Sequence, residues 1–265
     1  MRWSDSKPCF SLALACALVC CVASPLARAS ESSAEAQLGL APRFLQVRDD
    51  TLRPLRWIGG QMSLVGGAEF RVGDATHLAD VELGAGLVEN RFGNRGVPVS
   101  WGAHYAYLHA LTRGRPVEVL VGGAYRWETF VGYYADWDDS FMYWTTTHTL
   151  APAVAFRAQT APGRELSVLV EVPWVGILSR PDVYRDYKVD PLTYPRRWIS
   201  RTHQNPRGAG PLNLYAPWVS ARYLTTWSKH WGMLYTLSMA YRRTPRPRTF
   251  TLLSQTLAVE VRRVF

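Results

Sequence analysis

Along most of this chain apolar and polar residues alternate with a period of two, in one segment after another. A strand points successive side chains to opposite faces, so this pattern gives extended segments with one apolar and one polar side. In 61–72, Met62, Leu64, Gly66, Ala68, Phe70 and Val72 oppose Gln61, Ser63, Glu69 and Arg71. The pattern returns in 79–87, 99–107, 117–128, 144–158, 165–175, 214–224 and 231–242. It closes the chain in 249–265, where Leu253, Leu257, Val259, Val261 and Phe265 oppose Gln255, Glu260 and Arg262. A weaker candidate lies near 37–47, and Pro152, Pro173 and Pro217 fall inside strand-like segments, where a missing N–H interrupts a ladder.

Composition sharpens the pattern. The chain is 48% hydrophobic and only 19% charged, with 11 Trp and 13 Tyr. Yet beyond residue 30 no apolar run approaches the roughly 18 residues that a membrane helix requires. The apolar residues are dispersed, as alternation demands.

The first 29 residues read separately. Arg2 and Lys7 precede an apolar stretch from Phe10 to Val22, and Ala27-Arg28-Ala29 is a small-x-small cleavage site. This is the pattern of a cleaved secretory signal peptide. All four cysteines (Cys9, Cys16, Cys20, Cys21) lie within it, so the mature part has no disulfide, thiolate nucleophile or cysteine metal site. The net charge is +9, of which this segment carries +2, leaving +7 on the mature part. Export argues against nucleic acid as the counter-charge and for anionic lipid or lipopolysaccharide phosphate.

Turn signals separate the segments: Gly73-Asp74, Gly93-Asn94-Arg95-Gly96, Arg113-Gly114-Arg115-Pro116, Ala161-Pro162-Gly163 and Ser228-Lys229. Two connections are long, 132–142 and 178–211. If 37–47 is the first strand and runs outward, the turns at 73–77, 112–116, 159–164 and 227–230 all fall at one end and are short, and both long loops fall at the other, the asymmetry of outer-membrane barrels. The expected fold is therefore all-β: residues 30–265 form one closed antiparallel transmembrane β-barrel of about ten strands. Counts of eight or twelve stay open, with 183–202 able to supply one more hairpin. Aromatics near segment ends, Trp57, Trp101, Trp127, Tyr143, Trp174, Trp227, Trp231 and Phe250, read as girdles at the two interfaces.

In this pattern, and in its alternating last strand with Val259, Val261 and terminal Phe265, the chain resembles bacterial outer-membrane β-barrel proteins. Arg263 stands where that class often carries an aromatic or apolar residue. The resemblance implies a Gram-negative outer-membrane location and Phe265 as a signal to the barrel assembly machinery.

With apolar faces on lipid, the polar faces line the lumen: Glu69, Arg71, Glu82, Glu118, Arg126, Glu128, Arg157, Glu171, Arg222 and Arg242, together with Glu165, Glu260 and Arg262. A barrel of this size is little wider than its side chains fill, so these charges are expected to pair, as a rigid plug or around a narrow pore. The loop segment Asp136-Trp137-Asp138-Asp139, with His148 nearby, offers carboxylates and an imidazole for a hydrolytic site. Omptin-type barrel proteases, also ten-stranded, use acidic residues with a His at their outer rim; the similarity is architectural. The loop cations Arg180, Arg185, Lys188, Arg196, Arg197, Arg201 and Arg207 suit phosphate. No phosphate loop, HExxH or nucleophile elbow occurs, and no cofactor or metal is expected. The leading expectation is a structural or narrowly porin-like outer-membrane barrel touching lipopolysaccharide. The alternatives are a barrel hydrolase of lipid or peptide and a soluble periplasmic β-barrel or sandwich binding protein.

Overall fold

The computed structural model describes residues 32–50, 53–112, 114–134, 142–181, 202–245 and 249–265. The elements are β1 (Ser32–Asp49), β2 (Arg53–Val72), β3 (Ala75–Asn90), β4 (Arg95–Ala110), β5 (Val117–Tyr133) and β6 (Met142–Ala161). They continue with β7 (Arg164–Glu171), β8 (Val175–Ser179), β9 (Arg207–Ala209), β10 (Trp218–Thr226), β11 (Trp231–Thr244) and β12 (Phe250–Val264).

Ten of these strands close into an antiparallel barrel. The order runs β5-β4-β3-β2-β1-β12-β11-β10-β7-β6, and β5–β6 pairing completes the ring. The first and last strands seal along nearly their whole length, from Glu35↔Val264 to Asp49↔Phe250. Among the described residues the ring of ten strands closes on itself, as a sheet in hydrocarbon requires. At one end the connections are short: Gly73-Asp74, 111–116, Pro162-Gly163 and 227–230. Gly163 takes φ +70°, which that tight corner needs and an L side chain resists. The other end carries the long connections.

β8 and β9 lie outside the ten. β8 continues the line of β7 along β6, but not in simple register. Ala153 faces Glu171 while Leu150 faces Val175, so one extra residue sits between them, a β-bulge at Val172-Pro173-Trp174. Pro173 occupies the one place where a missing N–H costs no ladder bond, and Val172 and Trp174 still donate to the carbonyls of Pro152 and Leu150. Pro217 ends just before β10, and Pro152 remains within continuous β6. β9 then pairs with the far side of β8 through Gly176↔Ala209 and Leu178↔Arg207. The segment read from sequence as 165–175 is thus two strands reaching Ser179. Part of the 178–211 connection is sheet, while 183–201 lies outside the described residues.

The faces divide as the alternation predicts. Leu64, Val119, Val168 and Leu237 belong to the outward set with Leu38, Leu83 and Leu257, and Leu237 is 59% exposed. The acids and arginines of the opposite phase turn inward. One residue was phased wrongly from sequence: Gln255 shares the outward face of Leu253 and Leu257, because it is an even number of residues from both.

Candidate functional site: a charge-filled lumen with an aromatic stopper

The inward faces bring acids and arginines from opposite walls into contact. In the central layer β3 supplies Asp80, β4 His104, β7 Glu171, β5 Arg126 and β10 Arg222. Asp80 takes Arg222 Nη2 at 2.8 Å and Gln37 Nε2 at 2.9 Å. His104 bridges the two acids, its Nδ1 3.1 Å from Asp80 Oδ2 and its Nε2 2.7 Å from Glu171 Oε1. Glu171 also takes Arg126 Nη2 at 3.1 Å, and the Arg126 guanidinium lies 4.1 Å over the Trp218 ring. A single hydrogen-bonded chain, Arg222–Asp80–His104–Glu171–Arg126, therefore crosses the lumen.

Two further layers flank it. Toward the short-turn end, Arg71 binds Glu69 at 2.6 Å and Glu165 at 3.0 Å, and Arg157 bridges Glu69, Glu165 and Glu118 at 3.1, 3.3 and 3.9 Å. Arg262 pairs with Glu35 in the same region. Toward the other end, Arg43 pairs with Glu82, and Arg242 with Glu128. Ser63 Oγ also donates to Glu82 at 2.7 Å. A cavity of about 110 Å³ remains between these layers, touched by Asp80, His104, Arg126, Glu128, Arg222 and Glu260. It is large enough to hold water molecules.

At the long-loop mouth the inward residues change character. Leu45, Val47, Trp57, Val88, Phe130, Tyr134, Tyr143, Phe250 and Leu252 form one buried cluster. Trp57 and Tyr134 rings lie 4.4 Å apart, and Phe130 and Phe250 6.3 Å apart. Tyr134 fits because its neighbours are glycines. A Cβ on Gly96 or Gly132 would stand 2.4 or 2.6 Å from its ring or hydroxyl. Arg180 completes the stopper from beyond β8. Its guanidinium is 5.1 Å over Phe250 and 5.6 Å over Tyr143, and it donates to Thr244 Oγ1 at 2.6 Å and Tyr143 Oη at 2.7 Å.

This corrects two sequence expectations. Trp57, Tyr143 and Phe250 are not girdle residues; they share the inward phase and fill the mouth, fully or almost fully buried. Arg180 is not a solvent-facing phosphate ligand; it is only 3% exposed, inside the mouth. Trp174, Trp227 and Trp231 do stand on the outer surface. Of the hydrolytic candidates, Asp136, Asp138 and Asp139 lie outside the described residues. His148 points outward from β6, and its Nδ1 meets the Tyr125 hydroxyl at 2.7 Å. Arg185, Lys188, Arg196, Arg197 and Arg201 also lie outside the described residues, and Arg207 is exposed on β9. Phe265 is outward, its N–H on the Ala34 carbonyl and the Arg263 guanidinium 5.0 Å over its ring.

The sequence reading missed Glu35, Gln37, Arg43, Asp80 and His104 as lumen groups. For Asp80 and His104 the signal was present, in phase with Glu82 and with Ser100. For the β1 residues the signal was blurred, because Leu45 and Val47 share their inward phase while Gln46 takes the outward one.

No family model matches the chain, and no curated protein matches it. Among solved structures it is similar to the outer-membrane protease OmpT of Escherichia coli, with a TM-score of 0.50 and 9% identity over 88% of this chain and 96% of that one. It is also similar to the translocator domain of the autotransporter NalP from Neisseria meningitidis, at TM-score 0.45 and 11% identity over 94% and 95%. Neisserial surface protein A follows at TM-score 0.36 and 9% identity over 86% and 96%. The solved proteins it resembles are outer-membrane β-barrels, and at these identities the likeness is one of fold.

Proposed function

We propose that this protein is an integral outer-membrane β-barrel with a closed lumen, a scaffold of the envelope and not an open pore. The observation that carries this reading is the inverted polarity. Among the described residues 35 large apolar or aromatic side chains are exposed, while the acids and arginines of the lumen pair inside. Burying one such side chain is worth about 1.5–3 kcal/mol. A soluble fold leaving that many in water would forgo tens of kcal/mol, against a net stability of about 5–15 kcal/mol. Hydrocarbon around a sealed sheet removes the conflict. The paired central charges and the aromatic stopper support closure over conduction.

In this reading residues 1–29 are the export signal, the short turns face the periplasm, and the strand ending in Phe265 engages the assembly machinery. The long-loop end faces outward, where Arg185, Lys188, Arg196, Arg197 and Arg201 would meet lipopolysaccharide phosphate. Exposed Arg56 and Arg91, around an open groove with Ile58 beneath, add rim cations beside an apolar surface. The hydrolase reading draws no support from the described residues, since His148 meets a tyrosine and no carboxylate.

Fractionation and electrophysiology test the proposal. The expected results are a heat-modifiable band in the outer-membrane fraction and no unitary current in planar bilayers. Recovery from the soluble periplasm would overturn the membrane assignment. Discrete conductance steps would overturn the closed lumen alone.

A further inference from the structure

We propose that the outward rim of β1–β4 at the long-loop end binds one bisphosphorylated glycolipid of the outer leaflet, the lipid A part of lipopolysaccharide. This deepens the lipopolysaccharide contact proposed above and rests on its membrane reading, but not on the 183–201 cations or the closed lumen. β2 and β3 stand four strands round the ring from β6 and β7, on whose side the 178–211 connection begins. Four arginines share the outward phase at this rim. Arg48 of β1 sits directly opposite Arg56 of β2. β2 pairs with β3 up to Trp57↔Asn90, so Arg56 and Arg91 are the next residues out on the two strands. Arg95 of β4 follows, opposite Glu89. Like charges directly opposite on one face of a sheet repel. Asp50 answers Arg48 at 2.9 Å, and Glu89 faces Arg95 by register. Among the described residues no carboxylate pairs with Arg56 or Arg91.

Arg56 and Arg91 both line one open groove, with Leu55, Ile58 and Glu89. Arg91 is held in place there. Asn90 Oδ1 accepts from the backbone N–H of Phe92 at 2.9 Å and of Asn94 at 3.3 Å, and the Arg91 guanidinium lies 4.6 Å over the Phe92 ring. Guanidinium forks match phosphate oxygens in pairs. Against Asp50 and Glu89 the four arginines leave two positive charges, one for each of two phosphates. Neighbouring strands lie about 4.7–4.9 Å apart, so the row from Arg48 to Arg95 covers roughly 14 Å, room for a disaccharide phosphorylated at both ends. Beneath the row the wall is apolar and furrowed. Phe44, Gly60 and Leu87 lie in one cross-strand line. Phe44 and Leu87 are exposed, and a Cβ on Gly60 would meet nothing nearer than 3.8 Å. An acyl chain fits between the two side chains. Cations above an apolar furrow are the complement of an amphiphile, and the row selects two phosphates over one.

Titration of the refolded mature barrel in detergent, free of lipopolysaccharide, tests this by native mass spectrometry. We expect one lipid A per barrel, held about tenfold or more tighter than monophosphoryl lipid A or phosphatidylglycerol. Replacing both Arg56→Ala and Arg91→Ala weakens lipid A binding by about tenfold or more. Gly60→Trp fills the furrow and weakens it with the arginines in place. Lys229→Ala, at the short-turn end, keeps wild-type affinity. Heat-modifiable migration of each variant establishes that it folds. A wild-type protein recovered from the soluble periplasm would sink the membrane reading beneath the site. With that reading intact, lipid A affinity unmoved in the double variant, or lost only when the 183–201 cations become glutamine, would overturn the site itself. Equal uptake of phosphatidylglycerol would overturn it too, reducing the rim to a general attraction for anionic lipid.

Discussion

Asp80 accepts from three different elements at once: Arg222 of β10, His104 of β4 and Gln37 of β1. Removing one member of such a buried set leaves the others charged and unmatched, a loss of about 3–5 kcal/mol. Asp80→Ala is expected to lower the denaturant midpoint of the folded barrel in lipid by an amount of that order. Lys229→Ala, in the exposed 227–230 turn, leaves the midpoint near wild type. A midpoint for Asp80→Ala equal to that of Lys229→Ala would show that the central chain contributes nothing net. The stopper offers a second single-residue test. Gly132→Leu places a side chain where the Tyr134 hydroxyl and ring already sit, 2.6–2.8 Å from the glycine's Cβ position. We expect Tyr134 to leave its slot and buried Trp57 to become accessible to acrylamide, with quenching of tryptophan emission rising accordingly. Unchanged quenching would mean that the mouth repacks around the new side chain.

At the scale of the element, the bulge at Val172-Pro173-Trp174 sets the phase of everything after it. A strand shifted by one residue turns every side chain to the other face. Without the extra residue, Leu178 and Arg180 would face outward and Ser179 and Ile177 inward. Deleting Trp174 is therefore expected to reverse that phase and withdraw Arg180 from Tyr143, Thr244 and Phe250. Cysteine at position 177 checks it: a membrane-impermeant or lipid-phase thiol reagent should label Ile177→Cys in the wild-type background and fail after the deletion. Labelling in both would mean that β8 pairs independently of the bulge. The reading of strands from sequence succeeded where a segment had one apolar and one polar side, as in 61–72 and 79–87. It faltered at 165–179, since a bulge is a pairing event, and Pro173 announces only that the ladder is interrupted and not how.

For the molecule as a whole, the direction of the apolar face is what matters. Leu237 stands outward and 59% exposed among Tyr235 and Met239. An arginine on the lipid face of a barrel near the bilayer middle costs about 2–4 kcal/mol, falling toward zero at the interfaces. Leu237→Arg is expected to reduce stability in bilayers by that order and to slow insertion. In a soluble protein, an exposed Leu→Arg change at the same place would move stability by less than about 0.5 kcal/mol. Denaturant titration in lipid vesicles separates the two, and a negligible effect would speak against hydrocarbon at this face. The inward charges belong to the same scale. Glu69, Asp80, Glu128 and Glu171 find arginines more than 40 positions away in the chain, across a lumen that exists only when the ring closes.

Period-two alternation, dispersed apolar residues and the placing of turns were legible in the chain alone. They imply strands, their faces, a closed barrel and its two unlike ends, because a side chain's face follows from its parity within a strand. Partnership was not legible. Which arginine meets which acid depends on the tilt and register that bring opposite walls together, and these are properties of the closed ring. The stopper was hidden for the same reason. Trp57, Tyr143 and Phe250 are apolar residues on the polar phase, and only their packing in one cluster at the mouth, with Arg180 over Tyr143 and Phe250, explains why they are there.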